Sequence, residues 1–339
     1  MLKYVFWNNK GGTGKTSLIF QSLCSYAKKY PEKRILAIDV CPQANFSELL
    51  LGGLVHDGSS NLLKIQGMVP RATIGGYFQL RLPSPYSTPN FDANDFLTHP
   101  IKSNAQIPRN IMLLCGDPLL ELQSNAMSTL ANNQIPGTDT WLSVIEWLLD
   151  FLEQIADQFD VAFIDTNPSF SIYTQIALTA ADRIVLPVMA DDSSRRAIQN
   201  AFSLIYGLKL PSEIYSEYAF TRKLEKAGRD LPKVHLVLKN RITQYMGPAS
   251  AYSAVLQAIE NEISDLLDKH PKIFTLKNVK DGIVEIRDFQ TTGVVAFAKG
   301  APFYNLRSGR LNIHGHRVRV NEEYRVNCVE TIDEIVSRL

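Results

Sequence analysis

Long hydrophobic runs are missing from this 339-residue chain. No apolar stretch approaches the roughly 18–20 residues that cross a bilayer, which excludes a membrane-spanning role. Neither sign of charge is in excess: 35 Lys and Arg stand against 34 Asp and Glu, a formal net charge of +1. Any nucleic-acid contact must therefore come from a local patch and not from overall charge. Cysteine is scarce. Cys24, Cys41, Cys115 and Cys328 lie far apart and show no metal-ligand spacing, so a reduced, cytosolic protein is expected. The first apolar run begins at Tyr4, which leaves no expectation of a signal peptide or of a separate N-terminal DNA-binding domain. What is present suffices for a sizeable core. Apolar residues make up 45% of the chain, enough for one large α/β domain or two ordinary ones.

Apolar runs alternate with helical patterns along the chain. Tyr4–Trp7, Arg34–Asp39, Asn110–Gly116, Phe159–Asp165, Asp182–Val188 and Val234–Arg241 read as strands. Several are continuously apolar, as strands covered on both faces are. Helices are expected over Lys15–Lys29, Trp141–Gln158, Ser193–Tyr206 and Ala249–Leu267, with a last one at Glu330–Leu339. A short strand near Ile283, a helix near Thr291 and a β-rich tail complete the reading. The alternation predicts a doubly wound, mostly parallel sheet with helices on both faces. We expect a single domain over residues 1–339 with inserts at about 52–108 and 211–232. In the first insert, Gly52-Gly53, Gly75-Gly76 and repeated prolines break every pattern, so short helices and loops are expected.

One stretch organises the rest: Asn8-Asn9-Lys10-Gly11-Gly12-Thr13-Gly14-Lys15-Thr16-Ser17, between the first strand and the first helix. Strand, glycine turn and helix N-terminus form a phosphate cradle whose N–H groups point at the anion. Lys15 would reach the β- and γ-phosphates, and the Thr16 hydroxyl would sit on Mg²⁺. The general pattern asks for glycine where Asn9 stands. The variant Lys-Gly-Gly-x-Gly-Lys-Thr fits without a mismatch, and its extra lysine is Lys10. Asp39 and Asp165 each end an apolar strand, and Asp165 is the expected Mg²⁺-side carboxylate. With Asp191 and Asn240 they fall at strand C-ends and should share one crevice with the loop.

On these segments the chain resembles the ParA/MinD family of deviant Walker ATPases, and ParA-type partition ATPases most closely. Lys10–Thr16, Ile38–Asn45, Phe159–Ser169, Ala180–Pro187 and Leu238–Arg241 carry the resemblance in family order. It implies ATP and Mg²⁺ as ligands and an ATP-dependent homodimer in which Lys10 contacts the partner's nucleotide, as an arginine finger does. It further implies that residues 10–17 bind nucleotide, that Lys10, Lys15 and Asp39 act in catalysis, and that Thr16, Asp39 and Asp165 serve the metal. Asn240 matches an asparagine that reads adenine, and Pro302 a segment beside the base. One position departs. The family's second motif has a second carboxylate where this chain has Cys41, and a thiol is a poor stand-in for it. Nucleotide binding is expected to persist, with hydrolysis slow or dependent on a stimulating partner protein.

The family's ParA-like members bind DNA without sequence preference. From Phe289 to Val320 the chain has no Asp or Glu, while Lys299, Arg307, Arg310, Arg317 and Arg319 are basic, with His314 and His316 among them. That is a local footprint for phosphates. Arg195 and Arg196 add to it at a helix start. MinD-like relatives end in a basic membrane helix. Here the last helix has an apolar stripe of Ile332, Ile335, Val336 and Leu339 under an acidic face, and is expected to dock on the core. The leading expectation is an ATPase of plasmid or chromosome partition or cargo positioning, cytoplasmic and associated with the nucleoid. The rival is a nucleotide-gated protein-binding switch with little turnover. A metabolic P-loop enzyme would need an acceptor pocket for which no motif is present.

Overall fold

The computed structural model describes residues 1–189, 191–242, 250–313 and 315–339. His314, and Ala249 at the expected start of a helix, lie outside the described residues. The first half runs β1 (Leu2–Phe6), α1 (Lys15–Lys29), β2 (Ile35–Val40), α2 (Asn45–Leu50), α3 (Gly58–Gln66), α4 (Ile74–Arg81), β3 (Leu97–Thr98), β4 (Ile111–Leu114), α5 (Leu119–Asn132), α6 (Thr140–Ile145), α7 (Trp147–Gln154) and β5 (Val161–Thr166). It continues with α8 (Ile172–Ala180), β6 (Arg183–Met189), α9 (Asp192–Tyr206), α10 (Glu213–Tyr218), α11 (Phe220–Lys226), β7 (Lys233–Ile242), α12 (Ser250–Lys269), α13 (Val279–Gly282) and β8 (Ile283–Arg287). The chain closes with α14 (Gln290–Lys299), β9 (Gly309–Ile313), β10 (His316–Val320) and α15 (Glu322–Arg338).

Among the described residues, eight strands form one sheet in the order β3-β4-β2-β5-β1-β6-β7-β8. All neighbours pair in parallel except the short edge strand β3, which runs antiparallel to β4. The doubly wound architecture expected from the sequence is therefore present. Every residue of β2 and β5 is buried, which is why their sequences are continuously apolar and not alternating. Successive side chains still serve opposite layers. Val5 of β1 joins the core under α5–α9 and α12, whereas Tyr4 and Phe6 join the core under α1, α2, α14 and α15.

The first insert is built onto the core. Tyr77 and Phe78 of α4, with Phe91 and Phe96, pack on Phe151 and Trp147 of α7; the Tyr77–Phe151 and Tyr77–Phe91 ring centroids are each 5.0 Å apart. The long helix expected over Trp141–Gln158 is broken at Glu146 into α6 and α7. The break turns Trp147 toward the insert, where its indole N–H donates to the Pro85 carbonyl at 3.0 Å. The terminal helix also begins earlier than expected, at Glu322, because Asn321 caps it by accepting from the Glu323 and Tyr324 N–H groups. Ile332, Ile335 and Val336 are buried, so this helix is docked against the core with α1.

His235 of β7 fastens that docked helix. Its Nε2 lies 2.8 Å from the Arg338 carbonyl, which can only accept, so Nε2 carries the proton and Nδ1 faces the Thr275 hydroxyl at 2.7 Å. Burial, and then the Arg183 charge, lower its pKa from 6.5 to about 4. The unfolded chain thus takes up this proton first. The stability tied to the neutral ring is present above pH 6.5 and is lost as pH falls through about 4. Urea titrations of wild type and His235→Gln at pH 7 and pH 5 check this: wild type should lose more stability than the variant. The loss per pH unit should stay below the ~1.4 kcal/mol of a fully buried group, because this ring is partly solvated.

Candidate functional site

The loop between β1 and α1 has no capping side chain and no acid in the first turn of α1, so the first helical N–H groups are left for an external anion. Gly14 stands at φ +84°, and a Cβ there would lie 2.3 Å from Asn240 Nδ2; only glycine fits. Two asparagines rivet the loop to neighbouring strands. Asn8 Nδ2 donates to the Pro187 carbonyl at 2.7 Å and its Oδ1 accepts from the Lys10 N–H at 3.0 Å. Asn240 Nδ2 donates to the Thr13 carbonyl at 2.8 Å. Asn9 Oδ1 and Thr13 Oγ1 are buried with no hydrogen-bond partner among the described residues, as in a cradle shaped for a polar ligand.

Lys15 is buried, and burial lowers its pKa while the charge of Asp165 opposes the shift. Thr16 Oγ1 donates to Asp165 Oδ2 at 2.9 Å. The parallel register of β2 and β5 sets Asp39 beside Asp165. Both carboxylates are buried. Burial raises Asp39 above the usual carboxylate range, helped by the charge of Asp165, and raises Asp165 against the pull of Thr16 and Lys15. Two carboxylates held this way fit a divalent cation. Among the described residues no group of three or more His, Cys, Asp or Glu is set to hold a metal. A magnesium ion would draw on Thr16, on Asp165 and Asp39 directly or through water, and on phosphate oxygens.

Asp39 is further engaged by the protein. Its Oδ2 accepts from the Ser47 N–H at 2.9 Å and from the Ser47 hydroxyl at 2.8 Å, and its Oδ1 accepts from the Cys41 N–H at 3.1 Å. Ser47, unnoticed in the sequence, also accepts from the Gly116 N–H at 2.8 Å, where any side chain would strike Asp39. Asp39 therefore shapes the turn that carries Cys41. The Cys41 thiol is pushed up to about 12 by burial and by the charges of Asp39 and Asp165, so it stays neutral at physiological pH.

Lys10 leaves the loop in the direction of β6. Its Nζ donates to Asp191 at 2.6 and 2.8 Å and to Ser193 Oγ at 2.5 Å, at the start of α9. Burial opposes ionisation of Asp191, but bonds from Lys10, Ser193 and Ser194 hold it at about 2. Lys10, Lys15, Thr16, Asp39, Asp165, Asp191 and Asn240 thus converge on one end of the sheet.

Beside Gly14, Ser17 and Asn240 opens a cavity of about 960 Å³. Its far wall is Arg241, Asp288, Phe289 and Gln290, with Leu54, Val294 and Phe297 at the other side. Pro302 does not line it. It is buried behind α14, between Ala301 and Phe303, whose backbone groups are both held by Gln21. Residues 288–290 line this cavity and Pro302 does not. Asp288 directly follows β8, so the rule that sites gather at strand C-ends would have found it. The arginines also separate. Arg195 and Arg196 begin α9 close to Asp191, whereas Arg307, Arg310, Arg317 and Arg319 are exposed on and before the β9–β10 hairpin, which packs on the opposite layer.

Comparison with known proteins agrees with this geometry. A family profile described as an AAA domain matches residues 2–210. A virulence plasmid ParA family protein, pGP5-D of Chlamydia muridarum, is 22% identical over 304 residues, covering 81% of this chain and 97% of that protein. The cell division protein PomZ of Myxococcus xanthus is 26% identical, over 61% of this chain and 52% of its own length. Among solved structures, the ATP complex of a Cyanothece McdA variant aligns with a TM-score of 0.60 at 16% identity, over 99% of this chain and 96% of that one. A putative Borrelia burgdorferi plasmid partition protein bound to AMPPNP aligns at 0.54 and 14% identity, over 100% and 99%. These structural likenesses establish the fold. With the profile covering most of the chain, the conclusion is that this protein belongs to the ParA-type P-loop ATPases of the AAA domain family.

Proposed function

We propose that this protein is an ATPase that forms an ATP-dependent sandwich dimer and binds DNA non-specifically, and that it serves partition or cargo positioning in the cytoplasm, at the nucleoid. The observation that carries the reading is Lys10. It stands within a complete phosphate cradle yet points away from it, held by a half-exposed carboxylate, Asp191, on the same face. A lysine so placed can serve a nucleotide across an interface. In each subunit, the loop N–H groups and Lys15 would hold the phosphates, and Thr16 and Asp165 the Mg²⁺. Bound magnesium would neutralise charge between the β- and γ-phosphates. Lys10 of the opposite subunit would add positive charge as transfer proceeds. Asn240 supports the loop from beneath while lining the base cavity.

Size measurement with ADP, ATP and a non-hydrolysable analogue tests this. A monomer in all three sinks the sandwich dimer. In this reading the Lys10–Asp191 pair must open before Lys10 crosses. Asp191→Asn keeps a helix cap but loses the charge, so dimerisation should set in at several-fold lower ATP, the worth of a part-exposed ion pair. An unchanged ATP requirement in a light-scattering titration would remove the pair from the switch.

The rival reading is a nucleotide-gated, protein-binding switch that barely hydrolyses ATP. The neutral Cys41 thiol and the engagement of Asp39 by Ser47 and the Cys41 N–H favour it. Steady-state ATPase with and without DNA separates the two, since a DNA-tracking ATPase with a stimulating partner must turn over.

A further inference from the structure

The β9–β10 hairpin lies outside residues 2–210, so the family match says nothing about it. Its antiparallel register sets Arg310 directly opposite Arg319 and Asn312 opposite Arg317. Alternation then places Arg310, Asn312, Arg317 and Arg319 on one face, and all four are exposed. The other face carries Leu311, Ile313 and Val318, which pack with Val320 onto the core that includes Phe303 and Leu306. Like charges directly opposite each other destabilise a strand pair, and a two-stranded ribbon has little stability to spare. None of these arginines has an ion pair with a described carboxylate. The nearest acid in sequence, Glu322, is taken by Arg325 at 2.6 Å and also meets Ser308. The ribbon thus keeps a repelling arginine pair, free of acids, on an anchored scaffold. The anchor is α14, whose Val294 and Phe297 line the nucleotide cavity.

We infer that this hairpin is a wing that grips the phosphate backbone of duplex DNA, through Arg310, Arg317 and Arg319 with Arg307 at its approach. The inference rests on the reading of the chain as a DNA-tracking ATPase and adds where the DNA is held. Charge complementarity identifies the partner: guanidinium groups repeated along a ribbon match a line of phosphates, and no side-chain pattern for base reading accompanies them. Arg195 and Arg196 are assigned no such role, because they sit beside Asp191 in the other layer.

The test is DNA binding by the full chain, ATP-loaded, to a mixed-sequence duplex across a salt series. In Arg310→Gln/Arg317→Gln/Arg319→Gln the slope of log K against log salt should become shallower by about 3, one contact per arginine. Lysine at the same three positions should restore the slope. Nucleotide binding should stay at wild-type values in both, and neither should melt earlier than wild type, since the substituted side chains are exposed and glutamine relieves the Arg310–Arg319 repulsion. A triple glutamine variant with the wild-type slope overturns the wing, as does loss of the slope in Arg195→Gln/Arg196→Gln instead. If wild type binds no DNA with any nucleotide, the DNA reading itself fails. Hairpin-dependent capture on phosphatidylserine vesicles without DNA binding would reassign the surface to a membrane.

Discussion

Cys41→Asp should raise steady-state ATP turnover by about 10²-fold or more, the usual worth of a positioned proton acceptor. Burial, and then the charges of Asp39 and Asp165, hold the thiol neutral, so it offers the attacking water neither charge nor a strong acceptor. Asp39 is a poor substitute, because three hydrogen bonds, two from Ser47 and one from the Cys41 N–H, hold it to its own turn. A third carboxylate in this group has a cost. Without Mg²⁺ and nucleotide, Cys41→Asp should melt earlier than wild type, by the equivalent of about 1–3 kcal/mol, and Mg²⁺ with ATP should close the gap. Cys41→Ser changes the atom but not the charge and should leave turnover unchanged. A phosphate-release assay on the three proteins decides the matter. Brisk wild-type hydrolysis with no gain in the aspartate variant would show that Cys41 does not limit the reaction.

Lys10→Ala should leave ATP binding within a few-fold of wild type while abolishing the ATP-dependent dimer and lowering turnover by about 10³-fold, the effect of removing an inserted cationic finger. Lys15→Ala should instead lose nucleotide binding, since Lys15 is buried within the cradle and Lys10 is not. The contrast separates a lysine that serves its own site from one that serves a partner's. Turnover is best measured in the Cys41→Asp background, where a fall of this size can be read. Dimers that form normally in Lys10→Ala would place Lys10 in structural pairing with Asp191 alone. That pair is half solvated, so its loss should cost the monomer no more than about 1 kcal/mol.

The phosphate cradle, the strand-end carboxylates and the alternating sheet were legible in the sequence because each is a local signal. Glycine, lysine and threonine at fixed offsets can be read within ten residues. A strand buried on both faces shows itself as an unbroken apolar run. The predicted bounds of α1, Lys15–Lys29, match the structure for the same reason: a glycine turn precedes the helix and Pro31 follows it. The basic hairpin was legible as composition, through an acid-free stretch rich in arginine.

What tertiary structure alone decided are the partnerships between distant segments. That Asp39 is bonded by Ser47, which is itself held by the Gly116 N–H, depends on β2, β4 and α2 being assembled. Lys10 finds Asp191 across 181 residues of chain. Asp288–Gln290 line the cavity because β8 ends there, while Gln21 draws the backbone on either side of Pro302 into the core. The helix break at Glu146 follows from a packing partner in the first insert. Local sequence carries propensity and charge, and so determined the elements and the phosphate loop. Which side chains share a hydrogen bond or a layer depends on segments that meet only when the elements are assembled, and those contacts belong to the fold.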